Sequence, residues 1–305
     1  MNNEYYSGLH NHGNTCFFNS AFQSILRCSV FMNFITNLNC KNELIVLLQE
    51  FIEEYKKNSN SAVSPIKLVQ HYTSLNKKYK IGNQDDADEV INYFIGEIDD
   101  VIKKEIKEGR CENIIIKGDI SLDKMIDYLF GIRIKTVVKC LSCNNVSTTE
   151  TTEYKLSVGL KSDDNISNLD EYIENYSTIE EMNGDNKYYC NNCKDYVVAL
   201  KSDKIIKTPK YMHVHLKRFE HGQRRSTKIS KDVMINPNIK MCEKSYQLRG
   251  CVYHMGSIAG GHYIYYYNKN KSDKYNDWVC LDDSKISSKD ISSEINSGYI
   301  YLFVK

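Results

Sequence analysis

The 305-residue sequence has little proline, little net charge and no long apolar run. Three prolines argue against long disordered linkers, and a formal net charge of +1 gives no reason to expect nucleic acid or an anionic membrane as a partner. No segment approaches the roughly 18 consecutive apolar residues of a membrane span, and residues 1–5 are polar where a signal peptide would be apolar. We therefore expect an intracellular protein, cytoplasmic and/or nuclear, that is monomeric and binds neither nucleic acid nor membranes.

The pattern of apolar residues changes along the chain. Helical periodicity is found near residues 43–55, 65–75 and 86–102. Later, β-branched and aromatic residues form strand-length runs at 132–138, 211–219, 251–254, 263–267 and 278–281. Helices followed by strands predict an α+β architecture. The length leaves open one large domain with subdomains or two packed domains.

Eleven cysteines, an odd number, are unlike the disulfide framework of a secreted protein. In a reducing compartment they are free thiols, metal ligands or nucleophiles. Six lack any partner at a metal-binding spacing and are expected to be core or incidental thiols: Cys28, Cys40, Cys111, Cys242, Cys251 and Cys280.

Cys16 is predicted to lie in the first turn of a helix. The helix is indicated by one apolar stripe, formed by Phe18, Ala21, Phe22, Ile25 and Leu26. Asn14 or Thr15 can cap its start. Unpaired N–H groups and the positive end of the helix dipole favour a thiolate there, and a neighbouring imidazolium would lower the pKa of the thiol further. Cys16 is therefore a candidate nucleophile.

His262 stands apart from the other seven histidines because it follows two glycines and opens a strand. An antiparallel hairpin centred on residue 272 would place it opposite Asp282, whose carboxylate would hold the tautomer of the imidazole. Successive strand residues face opposite sides, so only one of Asp282 and Asp283 can do this. We predict Asp282, with Asp283 as the substitute if the register is off by one. From spacing alone, an unrelated hairpin remains an equal alternative.

Two Cys-x-x-Cys pairs predict a metal site: Cys140 with Cys143, and Cys190 with Cys193. Four thiolates suit tetrahedral Zn²⁺, and a site with four protein ligands is structural because no position is left for water. The 46 residues between the pairs are too many for a compact zinc ribbon. A redox motif or unliganded thiols are the alternatives.

An acidic cluster follows Asn83, which can cap a helix. Its members are Asp85, Asp86, Asp88 and Glu89. Stabilisation of the helix dipole is the simplest explanation of such a cluster.

Four segments of the chain resemble the catalytic domain of ubiquitin-specific proteases, in the order found in that family. They are the cysteine box at residues 8–20, the acidic helix start at 84–90, a palm strand at 215–219 and the histidine box at 250–284. The resemblance implies a papain-like cysteine protease fold within a single domain, 1–305. The helical thumb would span about 8–132, the zinc-bound β fingers about 133–203 and the β-sheet palm about 204–305.

The resemblance also implies the roles of individual residues. Cys16 would be the nucleophile, His262 the general base and Asp282 the orienting carboxylate. Asn11, five residues before the cysteine, falls where the family has the side-chain amide of its oxyanion hole. The cysteine pairs would hold structural Zn²⁺, with no organic cofactor.

By the same resemblance, Asp86 and Glu89 would face the basic C-terminal tail of ubiquitin. The partners would be ubiquitin and ubiquitinated proteins, and the reaction would be hydrolysis of the (iso)peptide bond after the terminal Gly-Gly through an acyl-enzyme thioester. A protease for another ubiquitin-like modifier and an inactive ubiquitin-binding scaffold remain alternatives. The chain departs from the family at two positions: His12 replaces a residue that is usually apolar or an amide, and Asp88 stands where histidine is frequent.

Overall fold

The computed structural model describes residues 6–58, 61–75, 79–161, 165–221, 226–257 and 260–305. These ranges contain seven α-helices: α1 (Cys16–Leu26), α2 (Ser29–Asn37), α3 (Glu43–Lys57), α4 (Ile66–Leu75), α5 (Ala87–Lys107), α6 (Met125–Phe130) and α7 (Leu169–Glu174). The three helices predicted from periodicity are confirmed as α3, α4 and α5. Among the described residues, none of the helices is both long enough and apolar enough to cross a membrane.

Twenty strands lie in the described ranges, most of them after the helices. They are β1 (Gly8–Leu9), β2 (Ala62–Val63), β3 (Ile115–Lys117), β4 (Ile120–Ser121), β5 (Ile132–Cys140), β6 (Val146–Glu153), β7 (Leu156–Gly159), β8 (Glu180–Met182), β9 (Tyr188–Cys190), β10 (Asp195–Val197), β11 (Ala199–Lys207), β12 (Tyr211–Lys217), β13 (Phe219–His221), β14 (Ser226–Lys228), β15 (Asn238–Met241), β16 (Lys244–Ser257), β17 (Gly260–Tyr267), β18 (Trp278–Asp282), β19 (Lys285–Lys289) and β20 (Ile300–Val304). The predicted α+β architecture is confirmed.

The largest sheet has eight strands, seven of them in the order β19-β18-β17-β16-β20-β12-β7, with β15 paired to β16. All pairs are antiparallel except β12 with β7. A second sheet has the order β6-β5-β11-β8. Strand β7 lies inside the range predicted for the fingers, yet it joins the large sheet. The subdomain boundaries stay a prediction.

The large sheet is buried on both faces, and β17 shows how its sequence achieves this. Tyr263, Tyr265 and Tyr267 belong to the apolar cluster that contains α1, whereas Ile264 and Tyr266 belong to the cluster on the opposite face. This alternation is the side-chain period of a strand. The face of β17 that carries the three tyrosines packs against α1.

The start of α1 is not capped as predicted. Thr15 precedes the helix, but its side chain makes no capping hydrogen bond. Its hydroxyl instead accepts the His12 backbone N–H at 3.0 Å and donates to Asn11 Oδ1 at 3.3 Å. Asn14 donates to the Gly82 carbonyl oxygen at 2.8 Å. The prediction was wrong because both side chains bond within the neighbouring loops, which leaves the first N–H groups of α1 directed at the site around Cys16.

Candidate active site

Cys16 is the first residue of α1, as predicted, and only 3% of its surface is exposed. Helix α1 packs against β17, where the backbone N–H of Tyr263 is near enough to the thiol to lower its pKa. Tyr263 directly follows His262 in the chain. The structure therefore brings the thiol to the strand that carries the candidate base.

The pKa of the Cys16 thiol is raised above its ordinary value. Burial is the largest cause, and the negative charge of Asp283 adds to it. The N–H group of Tyr263 and those of Phe17 and Cys16 at the helix start act in the opposite direction. The expectation of a favoured thiolate was therefore wrong, because desolvation outweighs the helix start.

His262 and Asp282 form a direct contact. The distance from Nε2 of the imidazole to Oδ1 of the carboxylate is 2.6 Å, and about a third of each side chain is exposed. Nδ1 is then the ring nitrogen left for proton transfer.

The predicted hairpin register was wrong by two residues. Tyr265 pairs with Leu281 and Tyr267 with Val279, so continuation of the register places Asp282 beside residue 264 rather than His262. A shift of two residues keeps every side chain on its original face, and diagonal neighbours across a strand pair remain within reach. The predicted contact therefore forms despite the incorrect register.

Asp283 contacts asparagines rather than taking the place of Asp282. Its carboxylate accepts from the Asn11 amide at 2.8 Å and from the Asn19 amide at 2.7 Å. Asn11 Oδ1 accepts the backbone N–H groups of Gly13 at 3.0 Å and Thr15 at 3.1 Å. The orientation of the Asn11 amide is thus fixed at both ends.

The turn that carries Asp283 is held against β1. Asp282 pairs with Lys285 across a two-residue turn, and Asp283 has a φ of 51°. The Leu9 N–H donates to the Asp283 carbonyl oxygen at 2.8 Å. A Cβ at Gly8 would lie 2.5 Å from the Ser284 carbonyl oxygen, so only glycine permits this approach.

The acidic cluster at the start of α5 has two different environments. Asp86, rather than the predicted Asn83, is the N-cap, and it accepts the Asp88 N–H at 2.9 Å. The hydroxyl of Tyr299 donates to its other oxygen at 2.6 Å, and burial raises the pKa of the carboxyl. Glu89 is exposed on the surface of α5.

A buried charged group, which no local sequence pattern predicts, lies behind this helix start. Asp88 is 6% exposed and forms an ion pair with Lys155, while its Oδ1 lies 3.2 Å from Nδ1 of His215. Burial lowers the pKa of His215 to about 3, so the imidazole is neutral at pH 7. Lys155 therefore supplies the compensating positive charge.

Sequence reasoning also gave no role to Asn19 or Gln84. Asn19 follows Cys16 by three residues, a spacing that places both on one side of a helix, and this was a usable signal. Gln84 contacts Gly261, which is 177 residues away in the chain. No local pattern reports such a contact.

The four predicted zinc ligands meet in space. The sulfur atoms of Cys140 and Cys193 are 3.9 Å apart and those of Cys143 and Cys190 are 3.7 Å apart, with all four inside 4.8 Å of one another. Sulfur atoms at about 2.3 Å from a tetrahedral zinc ion are about 3.8 Å apart. The thiol set therefore fits this metal.

The two cysteine pairs have the same local geometry. Asn144 and Lys194 each follow the second cysteine of a pair and have φ values of 59° and 58°. Their N–H groups donate to the carbonyl oxygens of Cys140 at 3.0 Å and Cys190 at 2.8 Å. Each pair thus forms a tight turn that aims two thiols at one point.

One further thiol cluster was not predicted. Cys40 and Cys111 lie near Glu105, whose two carboxylate oxygens both accept from Arg110 at 2.7 Å. Because the carboxylate is engaged with Arg110, this cluster is a poor metal site. Of the other cysteines expected to be core or incidental thiols, Cys28, Cys251 and Cys280 are buried and Cys242 is exposed.

Comparison with curated proteins finds relatives along nearly the whole chain. The chain is 24% identical over 348 residues to ubiquitin carboxyl-terminal hydrolase 4 of Arabidopsis thaliana, covering 98% of this chain and 93% of the relative. It is 26% identical over 344 residues to ubiquitin carboxyl-terminal hydrolase 12 of Salmo salar, covering 99% and 90%.

Solved structures show the same fold. The chain resembles a chain of the SAGA DUB module Ubp8/Sgf11/Sus1/Sgf73 bound to monoubiquitin, with a TM-score of 0.76, 23% identity and coverage of 98% and 68%. The same module bound to ubiquitin aldehyde gives a TM-score of 0.74 at 22% identity, with coverage of 98% and 69%. The family model described as ubiquitin carboxyl-terminal hydrolase matches residues 7–303, and the chain therefore belongs to the ubiquitin carboxyl-terminal hydrolase family.

Proposed function

We propose that this chain is a thiol-dependent deubiquitinase that hydrolyses the (iso)peptide bond after the C-terminal Gly-Gly of ubiquitin. The observation that carries the proposal is the contact of His262 with Asp282 at 2.6 Å, on the strand that packs against α1 and its Cys16. Family membership supports the same reaction. The groups match a cysteine nucleophile with a base oriented by a third side chain.

The reaction begins when the Cys16 sulfur attacks the carbonyl carbon of the last ubiquitin residue. His262 takes the thiol proton on Nδ1, and Asp282 holds Nε2 and stabilises the imidazolium. His262 then gives the proton to the leaving amine, and a thioester forms. Water, activated by the neutral imidazole, releases ubiquitin and restores the thiol.

Asn11 is proposed to stabilise the oxyanion that forms during attack. One N–H of its amide donates to Asp283, and the second is available to the substrate oxygen. The backbone N–H groups at the start of α1 add to this stabilisation. Asp283 is then a positioning residue that orients Asn11. This role differs from the one predicted from the sequence, in which Asp283 was the substitute for Asp282.

The acidic residues at α5 are proposed to meet the basic tail of ubiquitin. Glu89 supports this because it is exposed. Asp86 contributes less charge to the surface, since its two oxygens accept from Asp88 and Tyr299. We assign Asp86 chiefly to holding the start of α5 at the substrate cleft.

Structural Zn²⁺ is proposed at the four cysteines, because their sulfur separations of 3.7 and 3.9 Å fit a tetrahedral ion. The ion would fix the far end of the sheet that contains β5 and β11, and the cysteines would hold it as thiolates. The predicted thumb, fingers and palm boundaries, the monomeric state and the intracellular location remain parts of this proposal.

Hydrolysis of a fluorogenic amide at the C-terminus of ubiquitin tests the function. Cys16→Ala should abolish turnover while the folded state is preserved, and Cys242→Ala, which removes an exposed thiol, should retain full activity. Undiminished turnover by Cys16→Ala would refute the nucleophile. Parallel substrates built on other ubiquitin-like modifiers should be cleaved more slowly.

A further inference from the structure

Within the described part of the chain, no strand pairs with one edge of β17 along its first residues. In the described residues, β18 pairs with β17 only from Tyr265 to Tyr267, although β17 begins at Gly260. His262 lies in this unpaired stretch. Its backbone must therefore be held by something other than a neighbouring strand on that side.

Two groups from the helical part of the chain meet this edge. Residues two apart in a strand present their N–H groups to the same edge. The Tyr263 N–H is near enough to the Cys16 thiol to lower its pKa, and the Gly261 N–H donates to Gln84 Oε1 at 3.2 Å. The Gln84 amide also donates to the Gly261 carbonyl oxygen at 2.9 Å, so it satisfies both backbone groups as a paired strand would.

The opposite side of Gly261 is tightly packed. A Cβ at this position would lie 2.2 Å from the Met255 carbonyl oxygen and 2.3 Å from Nε2 of His254. The backbone is therefore held between β16 on one side and Gln84 on the other.

Gln84 is attached to a fixed segment. The hydroxyl of Tyr72 donates to Asp85 at 2.8 Å, and the hydroxyl of Tyr299 donates to Asp86 at 2.6 Å. The two residues after Gln84 are thus anchored to α4 and to the segment before β20. A side-chain amide on such an anchored segment can restrain the residue to which it is hydrogen-bonded.

We propose that Gln84 is a positioning residue for His262, acting through the backbone of Gly261. This inference rests on the proposed function and adds a residue to it. The imidazole is held at its side chain by Asp282 and at its backbone by Gln84. Loss of the amide would let residues 260–262 drift, and small displacements of a catalytic group reduce the rate of the chemical step strongly.

The test is a graded series at Gln84 measured with the fluorogenic ubiquitin amide. Gln84→Ala removes both hydrogen bonds and should lower kcat about tenfold with KM changed less than about twofold. Gln84→Glu keeps the acceptor and loses the donor, so its kcat should lie between that of the unaltered chain and that of Gln84→Ala. Gln70→Ala, at an exposed position on α4, is the matched control and should match the unaltered chain.

Three outcomes would overturn the inference. They are an unchanged kcat for Gln84→Ala, an effect confined to KM, and a gain in kcat/KM that would mean that Gln84 obstructs the cleft. Equal melting temperatures of the variants separate positioning from unfolding.

Alkylation of Cys16 by iodoacetamide, followed by mass spectrometry, tests the same inference without ubiquitin. We expect Gln84→Ala to slow alkylation severalfold, because the base is displaced from the thiol. An unchanged alkylation rate would overturn the positioning role. If the unaltered chain does not hydrolyse the ubiquitin amide, the proposed function fails and this second measurement alone decides the role of Gln84.

Discussion

The side-chain amide of Asn11 donates to the carboxylate of Asp283 at 2.8 Å, across a separation of 272 residues in the chain. Adjacent aspartates at the end of β18 consequently have different partners: Asp282 contacts the imidazole of His262 and Asp283 the amide proposed for the oxyanion. Their substitutions should have separable effects on catalysis.

Asp283→Ala should lower kcat by about tenfold to 100-fold, with a small change in KM. The expectation follows because Asn11 loses the acceptor that orients it, and loss of one oxyanion donor costs at most about 10²- to 10³-fold. The measurement is a double-mutant cycle with Asn11→Ala. In that background Asp283→Ala should add little, and full additivity would contradict the positioning role.

Asp282→Ala should lower kcat by about 10²- to 10³-fold because His262 loses the carboxylate that sets its tautomer and stabilises its charged form. Its loss should be nearly the same in the unaltered chain and in Asn11→Ala, since the two residues act on different groups. Kinetics of the single and double variants give this comparison directly. A smaller loss for Asp282→Ala than for Asp283→Ala would reverse the two assignments.

The alkylation rate of Cys16 should rise with pH through the neutral range and beyond. Burial raises the pKa of the thiol, so the reactive thiolate is scarce at pH 7 and increases about tenfold per pH unit below its pKa. Iodoacetamide labelling of the substrate-free chain between pH 6 and 10, with the adduct located by mass spectrometry, measures this. A rate that is already constant above about pH 7 would show a preformed thiolate.

Metal analysis should find close to one zinc per chain, and Cys143→Ser should lose most of it. Because metal binding is coupled to folding, the variant should also melt at a lower temperature. Cys242→Ser is the control and should keep the metal. A folded, metal-free preparation whose melting temperature equals that of the untreated protein would contradict the zinc site.

Lys155→Met should lower the free energy of unfolding by about 3–5 kcal/mol, because it leaves the buried Asp88 carboxylate without its cation. The nearby His215 does not supply this charge in the unaltered chain, since burial is the largest cause that lowers its pKa to about 3. Lys57→Met removes an ion pair with Glu53 whose side chains are 76% and 61% exposed, and it should change stability by less than about 1 kcal/mol. Urea unfolding of both variants measures the difference.

The sequence predicted the elements of the site better than its electrostatics. The helix beginning at Cys16 and the strand carrying His262 follow from local apolar periodicity, and the cysteine pairs follow from spacing. The predicted register was wrong, but His262 and Asp282 were still predicted on the same face of the sheet, because the error was an even number of residues.

What could not be predicted depends on residues that are distant in the chain. The raised pKa of Cys16 arises from burial beneath the sheet, which no local pattern reports. The cap at Asp86 replaces Asn83 because Tyr299 and the Asp88 N–H meet its carboxylate. The bond between Gln84 and Gly261 likewise exists only after the helical and sheet regions have packed together.

The most direct test of the account is covalent capture by ubiquitin carrying an electrophile at its C-terminus, with the adduct mapped by mass spectrometry. We expect one adduct per chain at Cys16, a much slower reaction for His262→Ala and no adduct for Cys16→Ala. An adduct on any other cysteine, or no adduct from the folded and unaltered chain, would contradict it.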